Sequence, residues 1–144
     1  MEELVLRPIG VVHSGQGAEE SQDPEGLARI ELLPEYAEGL DGVEEFSHLV
    51  VIYHLHRSRW SGVLKVYPRG NPQLPLTGVF ATRSPVRPNP IAITAVRLVR
   101  REGNVLFVQG LDALDGSPVL DIKPLVPRHD LVQDVRVPAW AGEQ

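Results

Sequence analysis

Short apolar runs, several of them alternating with polar residues, follow one another along the chain and are separated by glycine and proline. The turn signals recur roughly every 8 to 12 residues, which is the rhythm of an all-β domain. The run 48–56 is the most apolar and is rich in β-branched residues, so we expect it to be the most deeply buried strand. The pattern predicts strands over 4–12, 27–33, 48–56, 63–67, 77–82, 91–100, 105–111 and 119–122.

The connections between these strands carry recognisable turn chemistry. Gly103-Asn104 and Asp115-Gly116 are dipeptides that favour tight turns between antiparallel neighbours. Residues 34–40 begin with proline and predict one or two helical turns, whereas 13–26 are polar and predict a loop. We therefore expect a mainly β, single-domain protein over 1–144, built as a small antiparallel β-barrel or curled sheet with one or two short helices.

Composition narrows the class of protein further. The chain has 144 residues and a mass of 15.9 kDa, the size of one domain. Its 42% hydrophobic and 23% charged residues exclude a disordered chain, a coiled coil and a collagen-like repeat. The absence of cysteine excludes disulfides, thiolate zinc sites and cysteine nucleophiles. No apolar run approaches the roughly 20 residues that span a bilayer, and no signal peptide is apparent, so we expect a cytoplasmic protein without membrane contact.

Charge is distributed very unevenly along the chain. The formal net charge is −5, from 14 Lys and Arg against 19 Asp and Glu. Residues 46–101 hold nine of the cations and no carboxylate, so this segment carries +9, and the remaining five cations and 19 acids give −14. Such a split favours a basic face that binds a polyanion. The alternative is that the flanking acids pair with these cations in the folded protein.

The segment 78–91 is the first candidate site. Three prolines within six residues stiffen the backbone that carries Arg83 and Arg87. A stiff loop can present a guanidinium to a carboxylate or phosphate at low entropic cost, and Arg offers a planar fork for that contact. The alternative is a proline-rich crossover with two solvated arginines.

The segment 110–124 is the second candidate site. Asp112, Asp115 and Asp121 surround a predicted turn between two apolar strands. Carboxylates there could accept hydrogen bonds from ribose hydroxyls, an ammonium group or an exocyclic amine. The alternative is turn chemistry alone, in which Asp115 and Gly116 make the turn, Asp112 caps it, and Asp121 pairs with Lys123 or an arginine.

His54 and His56 form a third candidate, because two residues apart on a strand they share one face. Paired histidines can hold a metal, but packed and hydrogen-bonded histidines are more common, and no recognised set of further ligands accompanies them. We therefore expect no metal site. Glycine-rich nucleotide loops, the Gly-x-Ser-x-Gly elbow and His-Glu-x-x-His are also absent from the sequence.

Taken together, these segments resemble the TrmO (TsaA-like, YaeB) family. The resemblance runs from residue 7 to about residue 128, and 78–91 and 110–124 agree almost letter for letter with the two longest signatures of that family. The shorter matching motifs are Pro8-Ile9-Gly10 with Val12 and Ser14, Ala28-Arg29-Ile30-Glu31-Leu32, Pro34 with Tyr36-Ala37 and Gly39-Leu40, Phe46-Ser47-His48-Leu49, and His56-Arg57.

The resemblance implies both a fold and an activity. The family fold is a single-sheeted β-barrel that forms a homodimer with cofactor sites near the interface. Members studied as tRNA enzymes use S-adenosyl-L-methionine to methylate N6 of an adenosine beside the anticodon, one that already carries a threonylcarbamoyl group. The resemblance thus implies S-adenosyl-L-methionine as cofactor and the tRNA anticodon loop as partner. Longer members carry a C-terminal domain, which we expect to be absent from this chain ending at Gln144.

The resemblance also implies site residues. The cofactor-binding residues carried over from the family motifs are Ser14, His56, Arg57, Arg83, Asp112, Leu114, Asp115, Gly116 and Ser117. Gly15 and Gln16, which follow Ser14 directly, are predicted to bind the cofactor with them, although the family usually has proline at position 15. The predicted RNA-binding residues are Arg87 and Lys123, which lie in matching motifs, and Arg59, which is one of the cations of the acid-free segment. The catalytic residue is not assigned, and the candidates for it are Asn89, Asp115 and Lys123.

Two other functions remain open at this point. The protein could use S-adenosyl-L-methionine to methylate another RNA or a small molecule. It could instead be a non-catalytic module that binds S-adenosyl-L-methionine or RNA and regulates another process.

Overall fold

The structure of the protein, a computed structural model, describes residues 1–14 and 26–142. The chain divides into two compact units, the first made of Met1–Arg57 and Ile91–Leu125 and the second of Ser58–Pro90 and Val126–Gln144. Within the described ranges, no helix has both the length and the apolar character needed to cross a membrane.

Strands dominate the secondary structure. The strands in the described part of the chain are β1 (Gly10–His13), β2 (Ala28–Leu32), β3 (His48–His54), β4 (Lys65–Val66), β5 (Thr77–Gly78), β6 (Ile91–Glu102), β7 (Val105–Gln109) and β8 (Pro118–Pro124). Short 3₁₀ helices lie at Pro34–Leu40, Val43–Glu45, Pro68–Gly70 and Val79–Ala81. Two single-turn α-helices follow the last strand, α1 (Pro127–Asp130) and α2 (Ala139–Gly142).

The strands of the first unit close an antiparallel barrel. Their order around the barrel is β1-β2-β7-β6-β3-β8, and β8 pairs back onto β1. Strict alternation along β3 turns Leu49, Val51 and Tyr53 into the barrel, where each is at most 2% exposed. Burying each apolar side chain of this kind contributes about 1.5–3 kcal/mol. The closed barrel confirms the mainly β, antiparallel fold predicted from the sequence.

Gly10 occupies the closest approach between β1 and β2. A Cβ at this position would collide with the backbone carbonyl oxygen of Glu31 and would lie 3.0 Å from the Cα of Leu32. Both neighbours are backbone atoms within a hydrogen-bonded ladder, in which Gly10 pairs with Leu32. The ladder could make room only by moving strands that also close the barrel against β8, so this position requires glycine.

We expect Gly10→Ala to lower the free energy of unfolding by about 1–3 kcal/mol, the usual cost of overpacking. Gly39→Ala is the matched control, because a Cβ there would meet nothing within 4 Å and its backbone does not have a positive φ. Urea denaturation of both variants measures the difference. Equal stability of the two variants would contradict the tight β1–β2 contact.

The second unit is built on a two-stranded ribbon. Lys65 of β4 pairs with Gly78 of β5, and Val66 pairs with Thr77. Beyond this pairing, the backbone N–H of Val79 donates to the carbonyl of Leu64 at 2.9 Å, so the ribbon continues into the 3₁₀ helix Val79–Ala81.

The observed elements differ from the predicted ones at several ends. The predicted strand 4–12 begins only at Gly10, since Pro8 has no N–H to donate to a ladder. The predicted strand 77–82 stops at Gly78 because the chain turns into 3₁₀ conformation there, where the N–H of Thr82 donates to Val79. The helical turns over 34–40 are confirmed. Most of the predicted loop 13–26 lies outside the described residues.

Candidate functional site

The turn between β7 and β8, residues 110–117, is fastened to the end of β1. The backbone N–H of Ser14 donates to Oδ1 of Asp115 at 3.1 Å, and Oγ of Ser14 donates to the carbonyl of Ala113 at 2.8 Å. The N–H of Gly116 donates to the carbonyl of Val12 at 2.8 Å. Three residues implicated by the sequence, Ser14, Asp115 and Gly116, therefore meet at this turn, which we call the β7–β8 turn.

The chemistry inside the β7–β8 turn explains its shape. Gly116 has a φ of 85°, a left-handed conformation that glycine adopts without strain. Ser117 is only 2% exposed, and its hydroxyl donates to the carbonyl of Leu114 at 2.6 Å. The prediction that Asp115-Gly116 makes the turn is confirmed. Asp112 and Leu114 are exposed beside it, so the turn presents a carboxylate and an apolar side chain to solvent.

Tyr53 is a site-supporting residue that the sequence analysis missed. Its ring is buried in the barrel at 2% exposure, and its hydroxyl donates to the carbonyl of Asp112. The hydroxyl oxygen of Thr94 lies 3.0 Å from the hydroxyl oxygen of Tyr53. A buried tyrosine hydroxyl normally has a hydrogen-bond partner. The presence of a tyrosine in the apolar run of β3 could therefore have indicated a hydrogen bond from this strand to another segment. Tyr53 thus ties the barrel core to the β7–β8 turn.

Burial raises the pKa of the Tyr53 hydroxyl; the hydrogen bond with Thr94 lowers it, and the nearby Asp112 carboxylate raises it. A pKa raised in the folded state means that the neutral phenol contributes stability below the unfolded pKa of about 10. That stability is lost as the pH rises through the folded pKa.

We expect Tyr53→Phe to lower the free energy of unfolding at neutral pH by about 1–2 kcal/mol, because the carbonyl of Asp112 and the hydroxyl of Thr94 lose their buried partner. The stability of the wild-type protein should also fall more steeply above about pH 10 than that of the variant. Denaturation at pH 7 and at alkaline pH measures both effects. A variant with unchanged stability and an unchanged alkaline profile would contradict the role of this hydroxyl.

His56 lies beside the β7–β8 turn with an unusual hydrogen-bonding state. A Cβ on Gly116 would lie 3.8 Å from Nε2 of His56, which places the imidazole next to the turn. Its Nδ1 is buried and has no hydrogen-bond partner among the residues that the structure describes. A buried polar atom without a partner costs about 1–3 kcal/mol, so this nitrogen is suited to a ligand that supplies the partner. Arg57 follows immediately and is exposed.

Two sequence-predicted cofactor residues, Gly15 and Gln16, lie outside the described residues. They follow Ser14 directly in the chain. Their assignment stays a prediction.

The remaining predicted residues of the barrel form an exposed ion pair. Nζ of Lys123 lies 3.1 Å from Oδ2 of Asp121, and both side chains are about half exposed or more. This is the pairing that the turn-chemistry interpretation of Asp121 predicted. A pair exposed in this way contributes little to stability, about 0–1 kcal/mol.

The predicted residues Arg59, Arg83, Arg87 and Asn89 belong to the second unit. Arg59, Arg83 and Asn89 are exposed, whereas Arg87 is half-buried. Nη1 of Arg87 donates to the carbonyls of Thr82 and Ser84, at 3.1 and 2.9 Å. Arg87 therefore holds together the loop that carries Arg83.

Pairing with the flanking acids, the second interpretation of the charge split, is observed at one end of the acid-free segment, and the basic face stays a prediction. At the end of the acid-free segment, Nη1 of Arg101 lies 3.1 Å from Asp41 and 3.5 Å from Glu44, and Arg100 lies 3.4 Å from Glu102. These contacts show pairing with flanking acids at 100 and 101. In the described part of the chain, no group of three His, Asp or Glu side chains is arranged to hold a metal ion.

The closed antiparallel barrel, with a polar turn at its strand ends, places this protein among the β-barrel domains. These domains differ from the doubly wound sheets that bind ligands through a glycine-rich loop. The chain belongs to the family of tRNA-methyltransferase O N-terminal domains, whose family model matches residues 15–131. This match confirms the family resemblance noted in the sequence.

Individual relatives agree with this assignment. The chain is 48% identical over 142 residues to a probable S-adenosyl-L-methionine-binding protein of Pyrococcus abyssi, covering 93% of this chain and 74% of that protein. It is 42% identical over 107 residues to a tRNA (adenine(37)-N6)-methyltransferase of Mus musculus, covering 72% of this chain and 24% of that protein. The crystal structure of TrmO from P. aeruginosa superposes with a TM-score of 0.75 at 34% identity, covering 97% of this chain and 62% of that one.

Proposed function

We propose that this protein is an S-adenosyl-L-methionine-dependent tRNA methyltransferase that transfers a methyl group to N6 of the threonylcarbamoyl-modified adenosine next to the anticodon. The observation that carries the proposal is the family match over residues 15–131. The P. abyssi relative is named for S-adenosyl-L-methionine binding and the mouse relative for methylation of tRNA adenine. From the first name we infer the cofactor of this chain, and from the second we infer its class of substrate.

The residues around the β7–β8 turn fit S-adenosyl-L-methionine chemically. The buried Nδ1 of His56 needs a hydrogen-bonding partner, and hydroxyl, amine and carboxylate groups of the cofactor can provide one. The carboxylates of Asp112 and Asp115 suit ribose hydroxyls, the ammonium group or the exocyclic amine of adenine. Exposed Leu114 offers an apolar surface beside them. When bound, S-adenosyl-L-methionine supplies an electrophilic methyl group on a sulfonium.

The contribution of this chain is to orient the reactants and exclude water. The hydrogen bonds from Ser14 and Tyr53 fix the β7–β8 turn before a ligand arrives, so little binding energy is lost in ordering it. N6 of the modified adenosine, a urea-type N–H, must also lose its proton as it accepts the methyl group. Asp115, whose carboxylate already accepts from Ser14, is the best placed of the three candidate acceptors, because Lys123 is paired with Asp121 and Asn89 is a neutral amide.

The proposed tRNA contacts lie in the basic part of the chain. Residues 58–90 contain five cations and no carboxylate. Arg59 is exposed there, and half-buried Arg87 combines its proposed phosphate contact with holding its own loop. Arg83 remains assigned to the cofactor by family resemblance. Homodimer formation and a cytoplasmic location are likewise proposed from the family and from the sequence.

Two measurements test the proposed function. Calorimetry of the purified protein with S-adenosyl-L-methionine, with and without a chelator, should give the same affinity in both cases. Mass analysis of anticodon-loop nucleosides from a strain lacking the protein should show loss of the N6-methyl group from the threonylcarbamoyl adenosine. Cofactor binding with an unchanged nucleoside profile would indicate a different acceptor or a regulatory module, and a strict metal requirement would point back to His54 and His56.

A further inference from the structure

One end of the β4–β5 ribbon carries a group of exposed apolar side chains. Trp60 and Val63 are each 43% exposed, Leu64 is 57% exposed and Phe80 is 75% exposed. The hydrogen bond from Val79 to Leu64 brings the two strands together at this end, and Phe80 is the next residue after Val79. We call these four residues, Trp60, Val63, Leu64 and Phe80, the ribbon-end surface.

The ribbon-end surface is held rigidly. Nε1 of Trp60 donates to the carbonyl of Val63 at 2.8 Å, which fixes the indole against the chain. Phe80 follows Val79, which is 1% exposed, and the hydroxyl and N–H of Thr82 both bond the carbonyl of Val79. Phe80 is therefore presented to solvent from an anchored 3₁₀ turn. Large aromatic side chains displayed in this way are typical of binding surfaces.

The charge around this surface selects the partner. The segment 58–90 contains Arg59, Lys65, Arg69, Arg83 and Arg87 and no acidic residue. Arg59 directly precedes Trp60, Lys65 directly follows Leu64, and both are exposed. Aromatic rings interleaved with cations match single-stranded nucleic acid, whose bases stack on the rings while the phosphates meet the cations.

We propose that the ribbon-end surface binds unpaired bases of an RNA substrate by stacking them on Phe80 and Trp60. The inference rests on the proposed function in one respect: the anticodon loop of tRNA would supply those bases. A second copy of the chain is a poorer occupant, because Arg59 and Lys65 flank this surface and the segment 58–90 offers no acidic residue to pair with them across a symmetric contact.

The test compares RNA binding by variants of this surface. The probe is a single-stranded RNA of about 12 nucleotides, within the usual site size, with a duplex of the same sequence as comparison. Phe80→Ala and Trp60→Ala should each weaken binding of the single strand about 5- to 150-fold, the loss of one stacked base. Phe80→Tyr, which keeps a stacking ring, should bind as the wild type does. Leu131→Ala is a matched control, since Leu131 is 66% exposed outside this surface.

The dependence of RNA affinity on salt concentration distinguishes stacking contacts from charge contacts. Phe80→Ala should leave the salt dependence of binding unchanged, whereas Lys65→Ala should reduce its slope, because only the lysine releases counterions from the RNA. Thermal unfolding should be the same for Phe80→Ala and Phe80→Tyr, since the ring is largely exposed. In a Trp140→Phe background, RNA should also quench the fluorescence of Trp60, the other of the two tryptophans.

Several outcomes would overturn the proposal. One is that folded Phe80→Ala and Trp60→Ala bind the single strand as tightly as the wild type does. Another is that the wild type prefers the duplex. A third is that Phe80→Ala converts a dimer to a monomer in light scattering without affecting RNA binding, which would assign the surface to self-association. Calorimetry of the wild type with S-adenosyl-L-methionine is a separate test. If the wild type does not bind the cofactor, the proposed function is refuted, whereas the proposal that this surface binds RNA is not.

Discussion

Substitution of His56 by leucine is expected to stabilise the protein in the absence of cofactor and to weaken S-adenosyl-L-methionine binding. Leucine has a similar volume and removes the buried Nδ1 that has no partner among the described residues, so the free energy of unfolding should rise by about 1 kcal/mol. The same nitrogen is the atom we assign to the cofactor. Its loss should lower affinity about 10- to 100-fold, the range for a hydrogen bond to a charged group. Thermal unfolding and calorimetry measure the two effects.

His56→Asn is the matched control for this prediction, since an amide can place a polar atom near the position of Nδ1. It should retain more cofactor affinity than His56→Leu and should gain less stability. A leucine variant that loses stability and keeps full affinity would show that His56 is an ordinary packed histidine.

Asp115→Ala is expected to weaken S-adenosyl-L-methionine binding strongly. The carboxylate accepts from the backbone N–H of Ser14, so without it one of the three described hydrogen bonds between the end of β1 and the β7–β8 turn is lost. Cofactor affinity should fall about 5- to 100-fold, because a charge-assisted hydrogen bond and a proposed ligand contact are lost together. Calorimetry at neutral pH gives the number, and denaturation shows how much of the loss comes from instability.

Asp115→Asn separates the hydrogen bond from the charge. The amide oxygen can still accept from Ser14, so the asparagine variant should keep near wild-type stability. If it also keeps methyl transfer, Asp115 fastens the turn and does not accept the proton. If transfer fails while cofactor affinity is retained, the carboxylate itself is needed for the reaction. Full affinity in the alanine variant would remove Asp115 from the cofactor site altogether.

Local signals accounted for much of the fold. The apolar, β-branched run 48–56 predicted a buried strand where β3 lies, and Gly103-Asn104 predicted the turn between β6 and β7. Strand ends were harder, because 77–82 has the composition of a strand and yet turns at Val79. That turn depends on the hydroxyl of Thr82 finding the carbonyl of Val79, a contact that periodicity does not encode.

Individual residues of the candidate site could be predicted from the sequence, but the contacts that bring them together could not. The β7–β8 turn was visible from Asp115-Gly116, and Ser14 was added through family resemblance. The meeting of Ser14 with this turn joins residues about a hundred positions apart, which depends on the closure of β8 onto β1. Tyr53 was missed for a related reason. A tyrosine within an apolar strand is predicted to be a core residue, and its hydroxyl reaches the carbonyl of Asp112 only because the barrel closes.

Methyl transfer to a tRNA adenosine can be measured with the purified components. Purified protein is incubated with S-adenosyl-L-methionine and with tRNA that carries or lacks the threonylcarbamoyl group, and the digested nucleosides are analysed by mass spectrometry. We expect one added methyl group on N6 of the modified adenosine next to the anticodon, and none on tRNA lacking the modification. A protein that binds S-adenosyl-L-methionine and yet leaves both tRNAs unmethylated, or methylates a different nucleoside, would contradict it.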